Sequence, residues 1–164
     1  MATKDDYLQE LGISALGTRL RRLFEMLNTP VSALYREFAD FEQRWFALLM
    51  YLSEIHSCSI QVAASALGQS HVSILKAAKD LEAAGFIERR ADPSDKRITR
   101  LALTALGQTK VGRVKQISAC VDDAASNLIT SIAPDFLGNL EALEDALRKE
   151  SFASRLDRTT VNLK

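Results

Sequence analysis

The chain has 164 residues, equal numbers of basic and acidic side chains (21 each) and 47% hydrophobic residues. That length bounds it to one domain, or one domain with helical extensions, and the zero net charge excludes only a uniformly basic partner-binding surface. No run approaches the ~20 apolar residues that cross a bilayer, and Met1-Ala-Thr-Lys-Asp-Asp lacks the basic-then-apolar order of a secretion signal, so a cytoplasmic chain is expected.

In chain order, residues 5–38 have helical period. Leu8, Leu11, Leu16, Leu20, Leu23, Leu27, Val31, Leu34 and Phe38 recur mostly at three- and four-residue steps. Asp5 and Asp6 suit the positive end of that helix. Pro30 removes a backbone donor and crowds the carbonyl of Met26, so the helix is expected to kink there or to restart with Thr29 as cap. A long apolar stripe of this kind needs something to lie on, and a second copy of the chain is one solution. Residues 41–56 predict a second helix with Phe41, Trp45, Leu48, Leu49, Leu52 and Ile55 on one face.

Ser57-Cys58-Ser59 is a connector or a brief strand. Ser59 is placed to cap a short helix over 60–67 that Gly68 ends. Ser70 caps a helix running to about Ala84, ended by Gly85. Val72, Leu75, Ala78 and Leu81 are expected to step inward there, with His71, Ser73, Lys76, Lys79 and Asp80 outside or at the margin. Phe86–Arg90 and Ile98–Leu103 read as the strands of a hairpin with a charged tip, Asp92-Pro-Ser-Asp-Lys-Arg97. Thr104 looks like the cap of a long helix carrying Val111, Val114, Ile117, Val121, Leu128 and Ile132. Pro134 suits the first turn of a last helix, with Leu137, Leu140, Leu143 and Leu147. Residues 151–164 are polar and weakly patterned apart from Phe152 and Leu156, and predict a frayed tail or an arm that orders on a partner.

Charge is unevenly spread. From Phe86 to Gln116 basic residues dominate, while from Ile117 to Glu150 acids do. An anionic partner approaches the first section; two solvated faces would give the same pattern. Cys58 and Cys120 lie far apart, and with two histidines they offer no metal-ligand spacing, so no metal and no cofactor is expected. They read as two reduced thiols, with Cys58 the one to test as a redox sensor. No acid, base and nucleophile are spaced for catalysis, so an enzyme is not expected.

The middle of the chain therefore reads as a helix pair followed by a basic hairpin, a winged helix-turn-helix. The helix opened by Ser70 fits a major groove. Gln69, Ser70, His71 and Ser73 are short and polar and can reach base edges. Ile74, if it points outward, would meet a thymine methyl. Lys76 and Lys79 are placed for phosphates. At the hairpin tip the planar fork of Arg97 suits a narrow minor groove, Asp95 can hold it in one orientation, Pro93 stiffens the turn, and Lys96 and Arg90 add phosphate contacts. The plainer reading of Asp95 and Arg97 is an ordinary surface ion pair.

This stretch resembles the MarR family of bacterial transcription regulators. The residues that carry the likeness are Ser59-Ile-Gln-Val-Ala-Ala-Ser-Ala-Leu-Gly68, Ser70-His-Val-Ser73, Leu81-Glu-Ala-Ala-Gly85 and Asp92-Pro-Ser-Asp-Lys-Arg97, leading to Leu103-Thr-Ala-Leu-Gly107. The likeness spans about residues 5–150. Arg44-Trp45-Phe46 looks most like the regulator portion of MarR-type proteins sometimes fused to an acetyltransferase, a second domain for which this chain is too short. The resemblance implies a mainly α fold with a small β-hairpin, a winged helix-turn-helix core flanked by long N- and C-terminal dimerisation helices. Its parts are an N-terminal dimerisation helix (1–40), the DNA-binding unit (41–104), C-terminal dimerisation helices (105–150) and a tail (151–164). It implies an obligate homodimer on a pseudo-palindromic double-stranded operator, with helix 70–84 in the major groove and wing 88–100 in the minor groove.

It further implies a small aromatic ligand between the dimer helices and the winged unit, where Tyr35, Phe38, Trp45, Phe46 and His56 are candidates; the alternative is that these residues are plain core. Relatives that sense oxidants through a cysteine in the first helix have no counterpart here. The competing functional reading is a winged-helix module that binds protein instead of DNA.

Overall fold

The computed structural model describes residues 6–92 and 94–160 and, of side chains, none beyond Asp157. Asp5, expected at the first helix start, and Pro93, expected to stiffen the wing, lie outside the described residues, as does the end of the expected tail. The chain divides into two compact units, residues 1–119 and 120–164.

The first unit opens with α1 (Tyr7–Glu10), capped by the Asp6 carboxylate, which accepts from the Leu8 amide at 3.1 Å. A 3-10 turn over Gly12–Ala15 leads into α2 (Leu16–Ala39). The sequence placed the interruption at Pro30. It falls instead at Gly12, whose φ of +56° no ordinary side chain adopts cheaply. Pro30 sits inside α2 without ending it. The helix bond lost is the one the Met26 carbonyl would otherwise accept.

A 3-10 turn (Gln43–Trp45) precedes α3 (Phe46–Ile55), so the expected helix 41–56 starts later than its apolar pattern. Ser57–Ser59 is a true strand, β1, and Ser59 then caps α4 (Ile60–Leu67), which ends at Gly68. Ser70 caps α5 (His71–Ala83), its hydroxyl accepting from the Ser73 amide at 3.1 Å. β2 (Ile87–Ala91) and β3 (Thr99–Leu103) follow as an antiparallel hairpin, and β1 pairs with the far edge of β3 to give the order β1-β3-β2.

The core lies in this unit: Phe41, Leu48, Leu49, Leu52, Ala63, Ile74, Ala78, Leu81, Ile87, Leu101 and Val114 are buried. Alanines at 63, 77 and 78 leave little side chain between α4 and α5 and let the pair close. Phe41 meets Tyr35, Trp45 and Phe86 ring to ring at 5.8, 5.5 and 6.4 Å.

The wing is fastened to the next helix, α6 (Ala105–Ile132). Thr104 donates its hydroxyl to the Gly85 carbonyl and accepts from the Gly107 amide at 3.0 Å, capping α6 as its sequence predicts. A β-carbon at Gly107 would stand 1.9 Å from the Phe86 carbonyl oxygen, so this position admits glycine alone without backbone movement. α6 starts in the first unit and ends in the second, which also holds α7 (Phe136–Lys149) and α8 (Phe152–Thr160). The segment expected as a frayed tail is thus helical over 152–160. Ser151 caps its first turn, accepting from the Ser154 amide at 3.2 Å.

Candidate nucleic-acid interface

α5 exposes one polar face and buries the other. Ile74, Ala77, Ala78 and Leu81 point into the core. Ile74 is 1% exposed and cannot meet a base, which corrects its assignment to the interface. Ala78 and Leu81 are buried as expected, but at the start of the helix Ile74 takes the inward place, and Val72, placed inward by the sequence reading, is 74% exposed. Val72 therefore offers the branched methyls that Ile74 does not. It stands between His71 and Ser73, both exposed, and Lys76 and Lys79 continue outward along the same helix. Ser70 and Ser73 share a hydroxyl hydrogen bond of 2.8 Å, so Ser70 is first a cap. With Ser73 capped and the Ile74 amide bonded to the Ser70 carbonyl, the amides of His71 and Val72 are the unsatisfied ones a helix start presents. Gln69 is exposed just before the cap.

The wing tip is held from within. Asp95 takes Arg97 in a fork: Oδ1 accepts from Nε at 3.1 Å and Oδ2 from Nη2 at 3.0 Å, while the Arg97 amide donates to Oδ1 at 2.9 Å. These bonds hold the Asp95 carboxyl below its ordinary range and raise the Arg97 guanidinium further. The Arg97 side chain is nevertheless 90% exposed, so the fork orients a guanidinium that still faces outward. Lys96 beside it is exposed. Arg90 is exposed too, but pairs with Glu88 on its own strand.

One part of the wing was not foreseen. Asp92 is almost buried and accepts from the Ser94 amide and hydroxyl, the Asp95 amide and Arg100. The Ser94 hydroxyl, first among these donors, holds its carboxyl far below the ordinary value. Arg100, counted in the sequence only as one more basic residue, turns inward to Asp92 and Ser57. Ser57 and Arg100 stand 43 positions apart, which leaves no local signal for this contact. Arg89 likewise ties β2 to α5 through Glu82 at 2.8 Å.

The five residues expected in one ligand cleft are not brought together. Tyr35 is buried against Phe41 and Phe46, and Trp45 packs on Phe41 and Phe86, which is core behaviour. Phe46 borders a cleft of about 450 Å³ with Phe24, Ser32, Gln43 and Gln69. Phe38 borders another of about 420 Å³, beside Lys110 and Arg113, which donate to the carbonyls that end α2. His56 lines a third of about 390 Å³ with Leu52, Ser53, Gln108, Val111 and Lys115. His56 also has a φ of +65°, an unusual conformation outside glycine. Cys58 is buried and desolvation pushes its thiol up, so it is a poor candidate for the redox sensor expected there; Cys120 is exposed.

Among the described residues no helix is long and apolar enough to cross a membrane, and no group of His, Cys, Asp and Glu is placed to hold a metal ion. Residues 39–98, from the end of α2 to the wing tip, match the model of the MarR family. No curated protein matches the chain in sequence. Among solved structures, the PcaV transcriptional regulator of Streptomyces coelicolor, in complex with its natural ligand, is similar at a TM-score of 0.64 and 18% identity, over 92% of this chain and 99% of that one. A cysteine-to-serine mutant of MarR from E. coli, complexed with operator DNA, is similar at 0.61 and 21%, over 87% and 99%. The haem sensor PefR of Streptococcus agalactiae is similar at 0.58 and 20%, over 84% and 95%.

Residues 39–98 thus match the MarR family model, and the chain has the winged-helix fold seen in MarR-type structures, mostly helical with a small three-stranded antiparallel sheet. These relatives are regulators and sensors by name, not enzymes. None of them supports the likeness to acetyltransferase-fused proteins.

Proposed function

We propose that this protein is a cytoplasmic, homodimeric, sequence-specific DNA-binding transcriptional regulator. The observation that carries this reading is the wing tip: an outward guanidinium fixed in a planar fork, on the same unit as a capped helix whose exposed face is short, polar and basic. Such a helix fits a major groove and such an arginine a narrow minor groove. Gln69, His71, Val72 and Ser73 read bases; Lys76, Lys79, Lys96, Arg90 and the first amides of α5 bind phosphates. The similar MarR structure with operator DNA supports the same use of the fold.

A second copy completes the binder. α2 exposes Leu16, Leu20, Leu23, Phe24 and Leu27, and α7 exposes Leu137, Leu140, Leu143 and Leu147. Stripes of this length are rare on a monomer, and a second copy covers them. A small ligand modulates the dimer. The cleft at His56 and Lys115, with its apolar floor, suits an aromatic acid, and the similar PcaV structure holds its natural ligand.

Selection of bound duplexes from a random pool tests the DNA reading. The expected result is enrichment of a two-fold-related site and an affinity that falls steeply with salt. No enrichment at low salt overturns it and leaves the protein-binding module as the better reading.

A further inference from the structure

We propose that Arg100 is a positioning residue for the wing tip, acting on Arg97 through Asp92. The inference rests on the DNA-binding reading for its consequence, but its geometry stands within the protomer.

The links are continuous. Arg100 lies on β3 opposite Ser59 of β1 and reaches diagonally along that strand, as same-face neighbours in a sheet do. Its Nε donates to the Ser57 hydroxyl at 3.1 Å and its Nη2 to the Ser57 carbonyl at 2.9 Å. Its Nη1 donates to Asp92 Oδ2 at 3.0 Å. The other Asp92 oxygen gathers the Ser94 amide at 2.8 Å, the Ser94 hydroxyl at 2.5 Å and the Asp95 amide at 3.2 Å. Asp95 then grips Arg97 by its amide and both edges of its fork. The path runs from the innermost edge of the sheet to the exposed guanidinium with no gap.

Each link has a reason. A nearly buried carboxylate needs several donors, and Asp92 has them. Its Arg100 partner fixes where the carboxylate sits, and the carboxylate fixes the backbone at 94 and 95. Asp95 cannot aim Arg97 unless its own backbone is set. The side chain of Arg100 is 38% exposed and that of Arg97 90%, so one belongs to the frame and the other to the tip. A direct phosphate contact from Arg100 is the competing role. Its Nε, Nη1 and Nη2 are already committed inward.

Geometry and charge separate the two roles. Lysine keeps the charge but cannot span three acceptors. On the positioning role, Arg100→Lys and Arg100→Met weaken binding to the selected duplex alike, by about tenfold, and lose less than about twofold once Arg97 is already alanine, because residues in one network are not additive. Asp92→Asn, which keeps an oxygen for Ser94 but not the charge facing Arg100, gives the same pattern and serves if the Arg100 variants fold poorly. The Arg97 Nε–H signal in NMR, read without DNA, shifts and exchanges faster in each variant. Binding losses that add to Arg97→Ala, a lysine variant that binds like the parent, or an unmoved Arg97 signal overturns the proposal. If the parent binds no duplex, the DNA-binding reading fails instead, and the NMR signal alone decides the relay.

Discussion

The two units of this chain differ in whether they enclose a core. In the first, every large buried side chain is enclosed by its own helices and sheet, down to Leu49, Leu52 and Leu101 at 0% exposure. In the second, no described residue from Cys120 to Asp157 is buried, and α7 carries a row of four exposed leucines. A chain segment that shows helical period but encloses nothing is not finished by itself. The first unit encloses a core and also leaves the α2 stripe exposed; the second buries none of its described residues.

The comparison is most easily broken at the exposed row. Leu140→Glu with Leu147→Glu is expected to leave helical content intact but reduce the particle to a monomer in sedimentation. Binding to a two-fold site then falls by about 10²–10⁴, the factor lost when two linked contacts become independent. An unchanged dimer would show that α7 is not what pairs the copies.

Inside the first unit, the neighbouring apolar residues of α5 give a sharper contrast. Ile74→Ala should cost about 2–5 kcal/mol of stability, as buried isoleucines do, visible as a lower Tm. Val72→Ala should leave Tm nearly unchanged and alter base preference in a selection. If Val72 proves the destabilising one, the assigned faces of α5 are wrong.

Arg97→Ala is expected to weaken binding by roughly tenfold to a hundredfold with no change in Tm, the scale of one lost groove contact. Equal binding by the variant would remove the minor-groove role.

The smallest effect is acid dependence. The Asp92 carboxyl is held well below its ordinary value of 3.8 by Ser94 and Arg100. A depressed carboxylate stabilises the fold fully above the ordinary value and loses that contribution as pH falls through its lowered one. The wing should therefore stay ordered at about pH 4 and loosen only in stronger acid, followed by the Arg97 Nε–H signal. Asp95, also lowered, holds the same Nε–H, so Asp92→Asn should change that step without removing it. A wing that loosens already in weak acid, above the ordinary carboxylate value, would contradict the network.

Much of the fold was legible because it is written locally. Ser59, Ser70 and Thr104 cap the helices they precede, and Gly68 and Gly85 stand where helices end, each within a few residues of its cause. The Asp95–Arg97 fork is also local, two residues apart. What failed was phase and distance. Val72 and Ile74 are both branched and apolar, so a helix of 13 residues offers little to choose between two registers. Pro30 looked decisive, yet the loss of one backbone hydrogen bond does not end α2. Gly12 looked ordinary, and its positive φ marks the real break. The strut from Ser57 to Arg100 and Asp92 joins strands far apart in sequence. For the aromatics at 35 and 45 the plain-core alternative is the one that holds, while Phe46 borders a cleft that the other candidates do not share.

Hydroxyl-radical footprinting of the selected duplex, combined with the mass of the complex, tests the central claim most directly. Two chains per duplex are expected. They should leave two protected half-sites about one helical turn, ~34 Å, apart, each with an outer minor-groove protection that disappears in Arg97→Ala. One chain per duplex, or protection confined to the phosphates with no half-site repeat, would contradict it.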